Sequence, residues 1–178
     1  MSLSLIDLER SRRYMLEEIL RDIASGTLYL SPRLNAQGKT VYAALLKDAA
    51  ETYDDSWLAQ ELRLGGMMNE MEQQRKPKGG YTLVRVPVTA PDTLAEGEFN
   101  RFYARGLCKY AIANGIIAVE VYRAKAVMQP RPDSQSKIGT RINAQALLDD
   151  LRSNPGVDTA LGLPPGPNSG LSVKLPAA

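Results

Sequence analysis

The sequence predicts an α+β fold, in which a helical N-terminal half is followed by a small antiparallel or mixed sheet packed by a central amphipathic helix. Apolar residues recur at helical spacing through the first part of the chain. A second amphipathic stretch begins at Glu98, ends at an Asn-Gly pair and leads into a β-branched segment that reaches Val127. A helix that turns directly into a strand packs across the sheet containing that strand, so these elements form one helix-on-sheet layer.

The composition is that of a globular chain that lacks the residues of the commonest catalytic and metal sites. Of 178 residues, 44% are hydrophobic and 24% are charged, and there is one cysteine and no histidine. Ser-His-Asp triads, Cys-His dyads and histidine-based zinc sites are therefore excluded within this chain. We expect no cofactor and no transition-metal site, and any catalysis would rest on carboxylates, Lys, Arg, Tyr or Ser with a hard metal such as magnesium.

The distribution of apolar and charged residues bears on location and partners. No apolar run approaches the ~20 residues that span a bilayer, and acidic residues stand among the basic ones at the start, unlike a secretory leader. We expect a cytoplasmic protein, or one in a particle assembled in the cytoplasm, with no membrane contact. The net charge is only +2, and residues 1–80 carry 11 basic and 12 acidic side chains against 11 and 8 in residues 81–178. Any electrostatic footprint is therefore expected in the second half.

Residues 1–76 are predicted to form a helical N-terminal region. Three helices are expected, over residues 5–24, 41–53 and 57–75. Gly26 closes the first of them, and Gly65 and Gly66 form a weak point in the third. The segment QQRKPKGG at 73–80 is the clearest hinge in the chain, and we place the boundary between the two regions there.

Residues 81–178 are predicted to form an α+β core with a Pro/Gly-rich C-terminal arm. Residues 81–91 alternate as a strand, in which Pro87 removes a backbone donor and so indicates an edge or a bulge. The central helix begins as early as Leu94, and the strongest strand follows it over residues 116–127.

The C-terminal third alternates between polar loops and short elements. Residues 129–141 are expected to be loop, and Asn143 is expected to cap a short helix. The tail is dense in proline and glycine but ends in LSVKL, which predicts a short strand added to this sheet or to the sheet of a neighbouring subunit.

Five basic residues form the candidate site. Arg101, Arg105 and Lys109 recur every four residues on the side of the central helix opposite its apolar face, and Arg123 and Lys125 follow on the next strand. Such a surface binds nucleic-acid phosphates or another protein subunit. The aromatic residues between these cations belong to the core by periodicity, so they are not available to stack on bases. A stripe that meets only solvent is the alternative.

Three further features resemble known kinds of site only in part. Glu120 lies on the strongest strand, but Tyr122 occupies the position at which a PD...(D/E)xK nuclease needs lysine. The glycine-rich run at 162–170 lacks the GK[ST] ending of a phosphate loop. Cys108 is interpreted as a packed small side chain.

The leading hypothesis is a non-enzymatic structural or assembly protein that acts through self-association or partner binding. The amphipathic N-terminal helix and the Pro/Gly-rich arm suit contacts between subunits, and the chain lacks histidine, clustered cysteines and nucleotide loops. A homo-oligomer or a larger protein assembly, such as a phage-like particle, fits this role. The alternatives are a nucleic-acid-binding module that uses the basic helix stripe and, less favoured, a magnesium-dependent nuclease built on Glu120.

Overall fold

The computed structural model describes residues 2–129, 132–155 and 170–177, and shows the α+β architecture that the sequence predicts. The helices of this part are α1 (Leu8–Ser25), α2 (Ala36–Glu51), α3 (Asp55–Leu64), α4 (Ala90–Ala113), α5 (Pro132–Lys137) and α6 (Ala144–Ser153). The strands are β1 (Met71–Arg75), β2 (Tyr81–Arg85), β3 (Ala118–Arg123), β4 (Arg141–Asn143) and β5 (Leu171–Lys174). None of the helices in these ranges is both long enough and apolar enough to span a bilayer.

Helix α4 is the centre of the molecule, as predicted. It starts at Ala90 rather than Leu94. The backbone N–H groups of the first helical turn have no partner within the helix, so Pro91, which lacks an N–H, fits there. It ends as expected, with Asn114 as the C-cap and Gly115 at a φ of 72°. Helices α1, α3 and α6 and the sheet containing β3 all pack against it, so residues 101–108 are buried without interruption.

Helix α1 approaches α4 most closely at a glycine. A Cβ placed on Gly106 would lie 2.7 Å from the backbone nitrogen of Met15 and 2.9 Å from the carbonyl oxygen of Ser11. Only glycine allows the two helices to come this close. Side chains from both halves of the sequence thus enter one core, and the division into regions 1–76 and 81–178 stays a prediction of the sequence.

The region after α3 differs most from the predicted elements. The expected helix over residues 57–75 ends at Leu64, where Gly66 takes a φ of 59°, so the prediction is wrong for residues 65–75. Strand β1 instead pairs with β2 in an antiparallel hairpin. Met, Glu and Gln favour helix in isolation, but the turn at 76–80, with positive φ at Gly79 and Gly80, brings the two segments into register.

The second sheet is antiparallel, with the strand order β4-β3-β5. Strand β5 pairs with β3 of the same chain, so the tail returns to its own sheet. Residues 129–141 were expected to be loop, but they contain α5 and the first residue of β4. Asn143 caps α6 as predicted, accepting a hydrogen bond from the Ala146 N–H at 2.9 Å. The Pro/Gly-rich arm is predicted over residues 157–178, and its part at 157–169 lies outside the described residues.

Candidate functional site

The arginines predicted to line the outside of the central helix lie in the interior. Arg105 is 1% exposed, and its guanidinium donates to the carboxylates of Glu18 at 2.7 and 2.9 Å and of Asp22 at 2.6 and 2.8 Å. Arg101 is also buried, where it donates to Glu98 at 3.3 Å and to the Asn154 carbonyl at 2.5 Å. The expectation that Arg101 and Arg105 are exposed is therefore wrong, because carboxylates of α1 and α4 neutralise them inside the fold.

A neutral ionic cluster around Glu18 joins α1, α4 and α6. Besides Arg105, the Glu18 carboxylate accepts hydrogen bonds from Arg152 at 2.6 and 2.9 Å, and Lys109 lies 3.5 Å away while donating to Glu17 at 2.7 Å. Burial alone would raise the pKa of the Glu18 carboxyl, but hydrogen bonds from Arg152 and Arg105 outweigh it and lower that pKa to about 2. The charge of Lys109 is thus also used within the chain.

The remaining two candidate cations also contact their own chain. Arg123 donates to the Gln135 side chain at 3.1 Å, and Lys125 forms an ion pair with Glu96 of α4. Each of the five predicted residues therefore makes an internal polar contact. Their role in binding a partner stays a prediction.

The β1–β2 hairpin is the surface that the sequence pattern did not predict. Its register places Met71 opposite Arg85, Gln73 opposite Leu83 and Arg75 opposite Tyr81. Directly opposite residues share one side of a sheet, and all six of these side chains are exposed. We call these six side chains the hairpin face. Tyr81 is 66% and Leu83 is 62% exposed, so large apolar groups lie together on the surface of the described part of the chain.

The hairpin does not contribute to the hydrophobic core. As far as the described residues define it, the core cluster contains nothing from residues 69–89. Two contacts anchor the hairpin. Arg33 donates to the Glu72 carboxylate at 2.6 and 2.8 Å, and the Val86 N–H donates to the Glu70 carbonyl at 2.9 Å. A two-stranded hairpin is marginally stable alone, so these anchors keep it in place. Packing of the fold does not explain the apolar residues of its open face.

Four cations of the hairpin lack a side-chain partner. Arg75, Lys76, Lys78 and Arg85 form no ion pair or side-chain hydrogen bond in the described part of the chain. Glu72 is occupied by Arg33. The hairpin, rather than the central helix, therefore presents positive charge that is free to meet an anionic surface.

A shallow groove of about 340 Å³ lies at the base of the hairpin. Met67 and Met68 line it together with Val86 and Val88, and Val88 is 89% exposed. Methionine side chains adapt to irregular contacts, so this groove adds apolar surface next to the hairpin.

Glu120 and Cys108 are occupied by contacts of the fold, and the glycine-rich run at 162–170 lies outside the described residues except for Gly170. Glu120 forms an ion pair with Lys174, its neighbour across the sheet, at 3.0 Å. Within the described ranges, no three acidic, cysteine or histidine side chains come together in a way that could hold a metal ion. Cys108 is buried, as its interpretation as a packed side chain requires, and burial raises the pKa of its thiol to about 12.

A turn signal in the sequence marks the hairpin. Lys-Pro-Lys-Gly-Gly separates two five-residue segments of equal length, and a glycine pair favours the positive φ that tight turns require. The residues before the turn are good helix formers, however, and they favour the helix predicted over residues 57–75 more than the turn favours a hairpin.

No protein-family model, curated protein or solved structure matches the chain, so its candidate site is defined by its own geometry.

Proposed function

We propose that this protein is a non-catalytic structural subunit that acts by self-association, with the hairpin face as its contact surface. The observation that carries the proposal is the hairpin itself, which exposes Met71, Tyr81 and Leu83 on one face and contributes nothing to the core. Covering such side chains removes apolar area from water, which is favourable by about 25 cal/mol per Å². A contact repeated between identical subunits is what a shell or particle requires, and a phage-like assembly fits it.

The use of the ionisable groups also supports a structural role. Catalytic groups usually have shifted pKa values and face a cavity. Glu18 has a lowered pKa, but its carboxylate lies inside the ionic cluster that joins three helices. Burial raises the pKa of Asp55, whose carboxylate accepts hydrogen bonds from the Ser2 hydroxyl at 2.6 Å and the Leu3 N–H and so holds the N-terminal segment. Both groups therefore serve the fold.

Light scattering coupled to size exclusion, over a dilution series, tests this proposal. The unmodified protein is expected to elute as an oligomer that dissociates on dilution. The variant Tyr81→Ser with Leu83→Ser is expected to elute as a folded monomer, because both side chains are exposed and absent from the core. Ile117→Ser is the matched control, since Ile117 is 78% exposed but lies outside the hairpin, and it should associate as the unmodified protein does.

Two results would contradict the proposal. An unmodified protein that stays monomeric at every concentration has no self-association to explain. A hairpin variant that associates as strongly as the unmodified protein would place the contact elsewhere on the surface.

Nucleic-acid binding is the second candidate function, and the unpaired hairpin cations favour it. Arg75, Lys76, Lys78 and Arg85 stand beside an exposed tyrosine, and cations with aromatic rings are the groups that bind single strands. Each phosphate neutralised makes the affinity more dependent on salt. We place this candidate second because Met71 and Leu83, on the same face, favour a protein surface.

A further inference from the structure

We infer that the hairpin face binds a second copy of this chain at the corner between α2 and α3, which gives a head-to-tail contact between subunits. This contact rests on the proposed self-association and names the surface used by the other subunit. We call this surface the acidic corner; it consists of Tyr53 and Trp57 and the acidic residues of the adjoining parts of α2 and α3, which are Asp48, Glu51, Asp54 and Glu61.

The acidic corner is strongly negative. No lysine or arginine occurs between residues 48 and 62, where five carboxylates are found. Asp48 and Glu51 are exposed and form no ion pair within the described residues. Both lie in the last turn of α2, where the helix dipole disfavours a negative charge and no basic residue compensates it. The fold gains nothing from these two carboxylates, whereas a cationic partner would.

Tyr53 and Trp57 give the acidic corner an apolar centre. Their rings are stacked, with centroids 4.3 Å apart and planes inclined by 13°, and Tyr53 is 45% exposed. They line a cavity of about 410 Å³. Arg12 reaches this cavity from α1, but its guanidinium already binds Glu9 and three backbone carbonyls. An apolar centre with a charged rim is the usual anatomy of a protein interface.

The hairpin face has the same arrangement with the opposite sign. Tyr81 and Leu83 form its apolar part, and Arg75 and Arg85 are their neighbours across the two strands. Two hairpin faces placed against each other would bring like charges together, which disfavours a symmetric contact between hairpins. Charge complementarity therefore selects the acidic corner as the partner surface.

The position of the two surfaces along α2 favours a contact between subunits rather than within one. Arg33, which anchors the hairpin, lies just before α2, and the acidic corner lies at the other end of that helix. Sixteen helical residues at 1.5 Å each separate these ends by about 24 Å. A contact between two unlike surfaces is heterologous, and its repetition gives a closed ring or an open filament.

Complementary charge reversals test the contact. The hairpin variant carries Arg75→Glu with Arg85→Glu, and the corner variant carries Asp48→Lys with Glu51→Lys. Each variant alone is expected to remain monomeric in size exclusion with light scattering, because one of its two surfaces has lost the net charge that attracts the other. An equimolar mixture is expected to associate again, because the unchanged hairpin face of the corner variant then meets the unchanged acidic corner of the hairpin variant. The control, Lys137→Glu with Arg141→Glu, makes the same change in net charge as the hairpin variant but outside both surfaces, and it should associate normally.

The outcomes separate this contact from the proposed function. If the unmodified protein associates but the mixture stays monomeric, or if either variant associates alone, the acidic corner is not the partner surface and self-association still stands. If the unmodified protein is monomeric at every concentration, both proposals fail together. If that monomer binds a labelled oligonucleotide in fluorescence anisotropy and the hairpin variant does not, the partner of the hairpin is nucleic acid.

Discussion

The hydroxyl of Tyr42 is the one buried side-chain polar atom in the described part of the chain that has no hydrogen-bond partner. Burial, with a smaller contribution from the nearby Glu98, raises the pKa of this phenol well above its usual value, so the group stays neutral. A buried hydroxyl left without a partner costs about 1–3 kcal/mol. The ring of Tyr42 therefore stabilises the core while its hydroxyl weakens it.

Tyr42→Phe is expected to raise the free energy of unfolding by about 1 kcal/mol, because the ring remains and the unpaired hydroxyl is removed. Tyr103→Phe is the matched control, since the Tyr103 hydroxyl is also buried but accepts a hydrogen bond from the Asp7 N–H at 3.3 Å. That variant should lose about 1 kcal/mol. Urea unfolding of both variants measures the difference, and an equal loss in the two would show that the Tyr42 hydroxyl has a partner such as a bound water.

At the scale of the elements, the cluster around Glu18 determines how α1, α4 and α6 are held together. Arg105 reaches α1 from α4, and Arg152 reaches the same carboxylate from the last turn of α6. The lowered pKa of Glu18 means that its carboxylate stabilises the fold at neutral pH. The pKa of this carboxyl is 4.5 in the unfolded chain and about 2 in the folded protein, so the contribution is lost as the pH falls from 4.5 toward 2.

Arg105→Met is expected to lower the free energy of unfolding by about 3–5 kcal/mol at neutral pH, because it leaves two buried carboxylates with less compensation. The loss should shrink as the pH falls below 4.5, since the unmodified protein then also loses the stabilisation that its ionised Glu18 carboxylate supplies. Urea unfolding at several pH values measures it. Arg13→Met is the control, because the exposed pair of Arg13 with Glu17 contributes less than about 1 kcal/mol. A loss at Arg105 that does not depend on pH would mean that packing of the side chain, rather than charge, is responsible.

The sequence predicts the elements that depend on local residues. Helical periodicity and glycine stops locate α1 and α4, and an asparagine cap locates α6. Periodicity treats a helix as having one buried side, however, and α4 is surrounded. The partners of Arg105 lie 83 and 87 residues away in the chain, so the local pattern does not show them. The only sign of this contact in the sequence is a matching spacing: Glu18 and Asp22 are four residues apart, and so are Arg105 and Lys109.

Strand β1 is not predicted because local preference and tertiary structure disagree there, whereas the strand predicted over residues 81–91 is found only over Tyr81–Arg85. Residues 71–75, MEQQR, consist of good helix formers, and no buried contact in the core compensates for placing them in a strand. The turn glycines and the pairing with the β-branched residues of β2 decide the outcome. A stretch that breaks a local rule without a packing reason is where function is expected.

At the scale of the whole molecule, the fold does not depend on the proposed contact surface. Replacing residues 71–85 by an Asn-Gly turn should change the free energy of unfolding by less than about 1 kcal/mol, because the hairpin has no residue in the core. The Glu70 carbonyl and the Val86 N–H already bond at 2.9 Å, so a two-residue turn fits between them. Circular dichroism and thermal unfolding measure the stability of this variant, and light scattering should show that it no longer associates. A loss of several kcal/mol would contradict the separation, because it would show that the hairpin shields the core.

The anchoring of the hairpin outside the core has a consequence for how this protein can evolve. Helix α4 packs against α1, α3, α6 and a sheet, so most substitutions in it lower the free energy of unfolding. Substitutions on the hairpin face meet solvent in the isolated subunit, so they are close to neutral for folding. Recognition can therefore change while the core stays constant, and related chains are expected to retain the buried residues of α4 while β1 and β2 vary together with the acidic corner.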